Sequence, residues 1–363
     1  MSLVHQIALT MMKGVGPMLA KQLLNQFGSA EAVFAAKRHQ ILQIEGIGVK
    51  IAQRILQNNA LEKAAAYLPF LKKHQIKILF YTDEGYPKRL RQCYDAPLIL
   101  YYKGTIDLNH PKIISIVGTR NATAYGKLIC RQLLEALSIE GVVVLSGLAY
   151  GIDATAHRES LNLGVPTIAV LGHGLDRIYP AAHRDLAQKM LQNGGLLTEF
   201  LPGTKPDREN FPKRNRIIAG LAVATIVVEA SMKGGALITA EIANSYNRDV
   251  FAIPGRVTDE YAEGCNFLIK TNRAALINGA KDLIYNLGWD DERPKKNTAQ
   301  IQLPLELSET AQKIVDQLAQ QNLEIDQLVF QTQIPQSKLA MSLLTLEMQG
   351  IIIALPGKVY KLA

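Results

Sequence analysis

The stretch IISIVGTRNATAYGKLICRQLLEALSIEGVVVLS, residues 113–146, decides the fold class. It begins and ends with a short β-branched apolar run, and the segment between the runs has the apolar spacing of an amphipathic helix. Two such runs joined through a helix indicate a βαβ unit, whose parallel strands are buried on both faces. Four further apolar runs continue the alternation, at residues 167–171, 195–200, 224–230 and 249–255.

This alternation predicts an α/β fold with a Rossmann-like, doubly wound parallel sheet in residues 76–288. The chain has 363 residues, more than a single core usually holds, so we expect further domains. We expect an N-terminal helical domain of the helix-hairpin-helix or SAM-like type in residues 1–75. A polar, proline-flanked linker (289–304) and a C-terminal winged-helix domain (305–363) complete the predicted organisation.

The N-terminal segment contains two glycine turns, GVGP at 14–17 and GIGV at 46–49, each followed by a helix-like run. This spacing is typical of helix-hairpin-helix units, in which the turn opens a helix N-terminus that can hydrogen-bond a phosphate. The alternative is that the turns only join packed helices. The sequence leaves both interpretations open.

The C-terminal segment has the pattern of three helices followed by two short strands around a Pro-Gly turn, which predicts a winged helix. Its third helix carries Lys338 as a cation, with Glu347 against it. A helix that reads the major groove is usually more basic. The composition therefore favours a protein-contact or structural role over duplex recognition.

Composition narrows the class of protein. The formal net charge is +8, from 40 Lys and Arg against 32 Asp and Glu, which favours anionic partners. Cys93, Cys130 and Cys265 are too few and too scattered for a disulfide framework or a zinc cluster, so we predict no metal site. No apolar run has the length of a membrane span, and the first thirty residues do not resemble a signal peptide. We expect a soluble, cytoplasmic protein with no membrane partner.

The turns that follow the predicted strands carry the candidate site, because ligands of open α/β sheets bind at the carboxyl ends of the strands. Most of these turns open with a glycine or another small residue and lead into a helix start. Glycine lets the backbone approach an anion closely, and the helix start offers free N–H groups. Several such turns along one sheet edge predict a long anion-binding rim, whereas a lone dinucleotide needs one.

Cations recur at the same edge, above all in ENFPKRNRIIAGL, residues 209–221. Clustered cations raise the local potential and attract phosphates. Phe211 stands among them, either to stack on an unpaired base or to act as a hydrophobic staple ahead of a helix over 213–221. Arg216 adjoins the apolar run and is alternatively an internal partner of Glu199 or Glu229.

The usual catalytic signatures are missing from the sequence. It contains no Walker phosphate loop, and Ser146 is not in a nucleophile elbow. Asp153 and His157 share a helix face, either as a base with its orienting partner or with Asp153 interacting favourably with the helix dipole. The residues alone leave both interpretations of this pair open.

Together these loops resemble the DNA-processing protein A (DprA/Smf) family. The resemblance rests on SIVGTRNATAYG (115–126), LSGLAYGIDATAH (145–157), TIAVLGHGLDRIYP (167–180), FPKRNRIIAGL (211–221) and VVEASMKGGALITA (227–240). It implies a single-stranded DNA-binding protein that protects incoming DNA and loads the RecA recombinase during natural transformation. It also implies a homodimer formed through the Rossmann-like domain, and a protein with no catalytic residue, no cofactor and no enzymatic activity.

The resemblance, together with the basic cluster, assigns thirteen residues to DNA binding. They are Gly118, Arg120, Ser146, Gly147, Gly172, Gly174, Arg208, Phe211, Lys213, Arg214, Asn215, Lys233 and Gly234.

Two other functions remain open. The fold also resembles the lysine-decarboxylase-like phosphoribohydrolases, which act on nucleoside monophosphates through a Pro-Gly-Gly-x-Gly-Thr loop and a nearby glutamate. Here SMKGGALITAE (231–241) lacks the proline and the Gly-Thr pair, and Glu229 or Glu241 would have to supply the carboxylate. A scaffold that mainly contacts proteins, with DNA secondary, is the other possibility.

Overall fold

The computed structural model describes residues 2–57, 59–290, 307–355 and 359–362. The chain divides into two compact units, residues 1–290 and 291–363. All of the predicted linker (289–304) except its first two residues lies outside the described residues. No described helix is both long enough and apolar enough to cross a membrane.

The first unit is built on a single sheet, which has nine strands in the part of the chain that the structure describes. The strands are β1 (Lys77–Phe80), β2 (Ile99–Gly104), β3 (Ile113–Val117), β4 (Val143–Ser146), β5 (Thr167–Val170), β6 (Gly194–Thr198), β7 (Ala224–Val227), β8 (Asp249–Ala252) and β9 (Ala275–Leu276). Their spatial order is β1-β2-β6-β5-β4-β3-β7-β8-β9. Strands β3 to β9 are parallel, and β1 and β2 extend the β6 edge in antiparallel fashion.

Helices precede the sheet and connect its strands. The N-terminal helices are α1 (Leu3–Met11), α2 (Pro17–Phe27), α3 (Ala30–Ala35), α4 (Arg38–Ile41), α5 (Val49–Leu56), α6 (Ala60–Ala65) and α7 (Leu68–Lys73). The remaining helices of this unit are α8 (Lys88–Arg91), α9 (Ala124–Leu137), α10 (Ile152–Asn162), α11 (Arg184–Met190), α12 (Asn210–Leu221), α13 (Gly235–Ser245), α14 (Glu263–Lys270) and α15 (Ala280–Asn286). Short 3₁₀ helices span Ser138–Glu140 and Ala181–His183.

Strand β3 shows why helices cover both faces of the sheet. Its side chains alternate in direction, so Ile113 and Val117 pack in the core that contains residues of α12 and α13. Ile114 and Ile116 pack in the opposite core, against residues of α9 and α15. A strand buried on both faces is typical of a doubly wound sheet, and the predicted α/β fold class is confirmed.

The N-terminal helices include the predicted helix-hairpin-helix turns. Gly14 and Gly46 have φ values of +88° and +82°, a region that favours glycine, and the next glycine of each turn caps α2 or α5. The core of these helices continues onto β1 and β2 through residues such as Phe80 and Tyr101. The structure therefore places the helical segment and the sheet in one compact unit.

The second unit has the predicted winged-helix pattern. It contains α16 (Glu309–Leu318), β10 (Leu323–Glu324), α17 (Ile325–Thr332), α18 (Gln336–Met348), β11 (Ile352–Leu355) and β12 (Val359–Leu362), with strand order β10-β12-β11. Ile314, Leu328 and Leu343 are buried in its core. The third helix, α18, exposes Met341 and Met348 by 74% and 82%, so its exposed surface includes large apolar side chains.

Candidate nucleic-acid interface

The main cleft of the first unit lies where two neighbouring parallel strands, β3 and β7, end. The chain leaves β3 toward β4 on one side and leaves β7 toward β8 on the other, so this is the topological switch point of the sheet. The cleft has a volume of about 700 Å³. Its walls come from the loop after β3, the loop between β4 and α10, the first turn of α12 and the loop between β7 and α13.

Cations from three of these segments converge on the cleft. Arg120 follows β3, Arg208 and Arg214 flank the start of α12, and Lys233 precedes α13. The side chains of Arg120, Arg208 and Lys233 are exposed, whereas Arg214 is buried. Converging positive charges at a concave surface raise the local potential and attract anions.

Arg214 has an unused hydrogen-bonding capacity. Its residue surface is 5% exposed, and its Nε atom has no hydrogen-bond partner. Burial lowers the pKa of Arg214 to about 10, with the positive charge of Arg120 acting in the same direction and Asp153 opposing it. A buried guanidinium charge is costly unless it is paired, and Arg214 lines the cleft, so the charge of an anion bound there would offset this cost.

Asp153 anchors the loop behind Arg214. Its carboxylate accepts hydrogen bonds from the backbone N–H groups of Gly147 (3.2 Å) and Ala149 (3.3 Å). Burial raises the pKa of Asp153, while the nearby Arg214 acts to lower it. Asp153 stands in the first turn of α10, which agrees with the interpretation based on the helix dipole.

The alternative pairing of Asp153 with His157 as base and orienter is wrong. The Nδ1 atom of His157 lies 2.7 Å from the hydroxyl oxygen of Thr167 instead. Complete burial lowers the pKa of His157 to about 3, with smaller contributions from His183 and Arg214. His157 is therefore a neutral core residue near neutral pH.

Phe211 lines the cleft between two guanidinium groups. The Cζ atoms of Arg120 and Arg214 lie 5.8 and 6.0 Å from the centre of its ring, within the range of cation–π attraction. Helix α12 begins at Asn210, earlier than the predicted 213, so Phe211 lies inside its first turn. A hydrophobic staple precedes the N-cap, which excludes that alternative for Phe211.

Arg216 faces away from the cleft. It forms a buried ion pair with Glu199 and donates a hydrogen bond to the carbonyl oxygen of Asp95. Of the two internal partners considered for Arg216, Glu199 is therefore the one the structure shows. Arg216 lies only two residues beyond Arg214, yet Arg216 pairs with an internal carboxylate while Arg214 lines the cleft.

The two candidates for the carboxylate that nucleotide chemistry would require, Glu229 and Glu241, both lie outside the cleft lining. Glu229 accepts hydrogen bonds from the backbone N–H (3.0 Å) and the hydroxyl group of Thr123, at the start of α9. Glu241 forms a surface ion pair with Arg273, with an N–O distance of 2.5 Å. The carboxylate that does line the cleft is Asp153.

The predicted site residues divide into those that line the cleft and those that do not. Lining it are Gly118, Arg120, Arg208, Phe211, Arg214, Asn215, Lys233 and Gly234. Outside the lining are Ser146, Gly147, Gly172, Gly174 and Lys213. Ser146 is buried and donates its hydroxyl proton to the carbonyl oxygen of Ile116 (2.6 Å), and Lys213 is exposed beyond the cleft, where its charge acts on Glu199.

Sequence reasoning missed an aromatic side chain at the cleft. Tyr179 lines it, is 48% exposed and has its ring centre 6.1 Å from that of Phe211. The signal that could have found Tyr179 was its place in GLDRIYP, the polar segment that follows the third parallel strand.

Comparisons with known proteins identify the family of the chain. Residues 77–288 match the family described as DNA recombination-mediator protein A. The chain belongs to this family. Its flanks match two further domains: residues 7–58 a SAM-like helix-hairpin-helix tandem, and residues 298–358 the DprA winged-helix domain.

Members of the family resemble this chain over most of its length. Protein Smf from Synechocystis sp. is 36% identical in an alignment that covers 98% of both chains. The X-ray structure of DNA processing protein A from Streptococcus pneumoniae is 33% identical, with a TM-score of 0.69 over 78% of this chain and 97% of that one. The Helicobacter pylori protein, reported for its unique single-stranded DNA binding mode, is 31% identical, with a TM-score of 0.54 over 60% and 97%.

Proposed function

We propose that the chain binds single-stranded DNA in the cleft at the switch point of its sheet. The observation that carries the proposal is the convergence of Arg120, Arg208, Arg214 and Lys233 on one concave surface that also presents Phe211. Arg214 also brings a largely buried guanidinium group to the cleft lining, and such a group can pair with a phosphate oxygen. The description of the Helicobacter pylori relative supports the same ligand class.

Phe211 favours an unpaired strand over a duplex. Aromatic side chains bind single strands by stacking on a base whose face is free, and in a duplex that face is covered by the neighbouring bases. The guanidinium groups of Arg120 and Arg214 lie beside the ring. Their positive charges would therefore be close to the phosphates of a nucleotide whose base stacks on Phe211. The side chains thus match the alternation of base and phosphate along a strand.

The start of α13 offers a second phosphate position. Lys233 precedes Gly234, which is the N-cap of this eleven-residue helix, and both line the cleft. Free backbone N–H groups and the positive end of the helix dipole favour an anion there. Asn215 is held beside this turn by donating its side-chain N–H to the carbonyl oxygen of Gly235 (3.4 Å).

The proposed biological role follows the resemblance to the family. The protein protects incoming DNA and loads the RecA recombinase during natural transformation, acts in the cytoplasm, and catalyses no reaction. It forms a homodimer through its Rossmann-like domain.

Fluorescence anisotropy with labelled single strand, duplex of the same sequence and a mononucleotide tests the binding proposal. We expect the single strand to bind most tightly. Equal or tighter duplex binding would overturn the proposal. Release of free base from nucleoside monophosphates by the purified protein would instead favour the phosphoribohydrolase.

The loading role needs a separate experiment. Residues 1–290 form one compact unit, so a truncation at Asp290 should keep the affinity for single strands. RecA filament formation on coated DNA is then compared between the truncated and the full chain. Failure of the full chain to accelerate filament formation would contradict the loading role and leave the binding proposal intact.

A further inference from the structure

Gly147 lies directly behind the guanidinium group of Arg214. A methyl group added at Gly147 would overlap the Nη1 atom of Arg214 and would lie 2.5 Å from its Cζ. The backbone of Gly147 has no positive φ, so alanine is compatible with its conformation. What an added methyl group meets is therefore the end of the Arg214 side chain.

Gly172 has the same relation to Phe211. A methyl group at Gly172 would lie 3.0 Å from Cδ1 and 3.3 Å from Cε1 of the ring. Carbon atoms in favourable contact are about 3.5–4.0 Å apart, so the ring would have to shift by a few tenths of an ångström. Gly172 also has no positive φ.

The loop that contains Gly147 is fixed from the other side. The carboxylate of Asp153 holds the N–H groups of Gly147 and Ala149, and Ser146 donates to the carbonyl oxygen of Ile116. The backbone therefore cannot retreat from an added methyl group without breaking these hydrogen bonds. The guanidinium of Arg214, at the end of a long side chain, is the part that moves.

We infer that Gly147 and Gly172 are positioning residues, whose missing side chains leave the space in which Arg214 and Phe211 sit. This assignment rests on the proposed binding of single-stranded DNA. It differs from what the resemblance implies, because neither glycine lines the cleft. The loop after β4 thus positions Arg214 of α12, and the loop after β5 positions Phe211 of the same helix.

Substitution of either glycine should weaken the binding of single-stranded DNA only by displacing the neighbouring side chain, Arg214 or Phe211. Gly147→Ala should reduce single-strand affinity about as much as Arg214→Met, since the displaced guanidinium no longer reaches a phosphate. A charge-assisted contact of this kind corresponds to a loss of about 10- to 150-fold. Gly172→Ala should cause a smaller loss than Phe211→Ala, because the ring is shifted and not removed.

Double-mutant cycles in the full-length protein test the assignment by anisotropy with labelled oligo-dT. The matched doubles are Gly147→Ala with Arg214→Met, and Gly172→Ala with Phe211→Ala. The crossed doubles exchange the partners and serve as controls. Each matched double should bind like the Arg214→Met or Phe211→Ala single variant, whereas each crossed double should bind more weakly than either of its single variants.

The outcomes distinguish the positioning role of the glycines from the proposed binding of single-stranded DNA. Multiplying losses in the matched doubles, or wild-type binding by Gly147→Ala, would overturn the positioning role. Wild-type binding by Arg214→Met and Phe211→Ala would instead overturn the proposed function. If Gly147→Ala does not fold, Arg214→Lys in the same chain removes the Nη atoms and should restore the fold; failure to restore it would also contradict the assignment.

Discussion

Arg214 and Arg216 provide the sharpest comparison, because they stand two residues apart on α12. Substitution of Arg214 should weaken DNA binding, whereas the same substitution of Arg216 should lower the stability of the fold. In Arg214→Met, a buried cation with an unpartnered Nε is removed from the cleft. A charge-assisted hydrogen bond to phosphate contributes about 1.5–3 kcal/mol, which corresponds to about 10- to 150-fold in affinity. We expect single-strand binding to fall by that factor.

In Arg216→Met, the same change breaks an internal ion pair. Glu199 then loses the cation that counters the effect of burial, which raises the pKa of its carboxyl group. Removing one partner of a buried pair typically destabilises by about 3–5 kcal/mol. We therefore expect a large loss of stability and an affinity close to that of the wild type at a temperature where the variant is folded.

Both quantities can be measured on the same samples. Fluorescence anisotropy with a labelled oligonucleotide gives the affinity, and urea unfolding followed by circular dichroism gives the free energy of unfolding. Arg214→Met should lose less stability than Arg216→Met, because Asp153 keeps its bonds to Gly147 and Ala149. The reasoning is refuted if Arg214→Met binds like the wild type, or if a folded Arg216→Met loses binding to the same extent.

Three further predictions concern a buried histidine, the aromatic ring of the cleft and a helix cap. In the unfolded chain His157 takes up a proton below about pH 6.5, whereas the folded residue, with a pKa of about 3, stays neutral. The contribution of His157 to the free energy of unfolding is therefore present at pH 7 and is lost as the pH falls. Between pH 7 and 5 the loss amounts to about 2 kcal/mol. His157→Gln should remove that part of the pH dependence in urea unfolding, while an unchanged slope would contradict the assignment. Phe211→Ala should cost about 1–3 kcal/mol of single-strand binding, and an abasic oligonucleotide should bind both proteins with similar affinity. Thr123→Ala removes the N-cap of α9 and should lower the free energy of unfolding by about 1–2 kcal/mol without weakening DNA binding; loss of binding with unchanged stability would argue for a direct contact.

The fold class could be predicted because each strand from β3 to β8 is a continuous apolar run followed by helical spacing. The strand order could not, since nothing in an apolar run specifies its neighbour. Two consequences were therefore missed: β1 and β2 join the same sheet next to β6, and β3 and β7 meet at the switch point. The second of these brings the loops of Arg120 and Lys233 to the same cleft.

The sequence was sufficient to predict which loops form the site, but not what each residue in them does. Gly118 and Gly234 line the cleft, while Gly147 and Gly172 lie behind side chains, and nothing in the sequence distinguishes the two pairs because all four stand in loops that follow predicted strands. Arg214 and Arg216 could not be distinguished either. Residues two apart face roughly opposite sides of a helix, but the sequence does not say which side Glu199 occupies.

The most direct test of DNA binding in the cleft is the salt dependence of single-strand affinity in the wild type and in Arg214→Met. For single strands the slope of log affinity against log salt is about −0.7 for each phosphate neutralised. The wild type should show a slope equal to several phosphates, and Arg214→Met a slope shallower by about 0.7. Identical slopes for the two proteins, or a slope near zero for the wild type, would contradict a phosphate contact by Arg214.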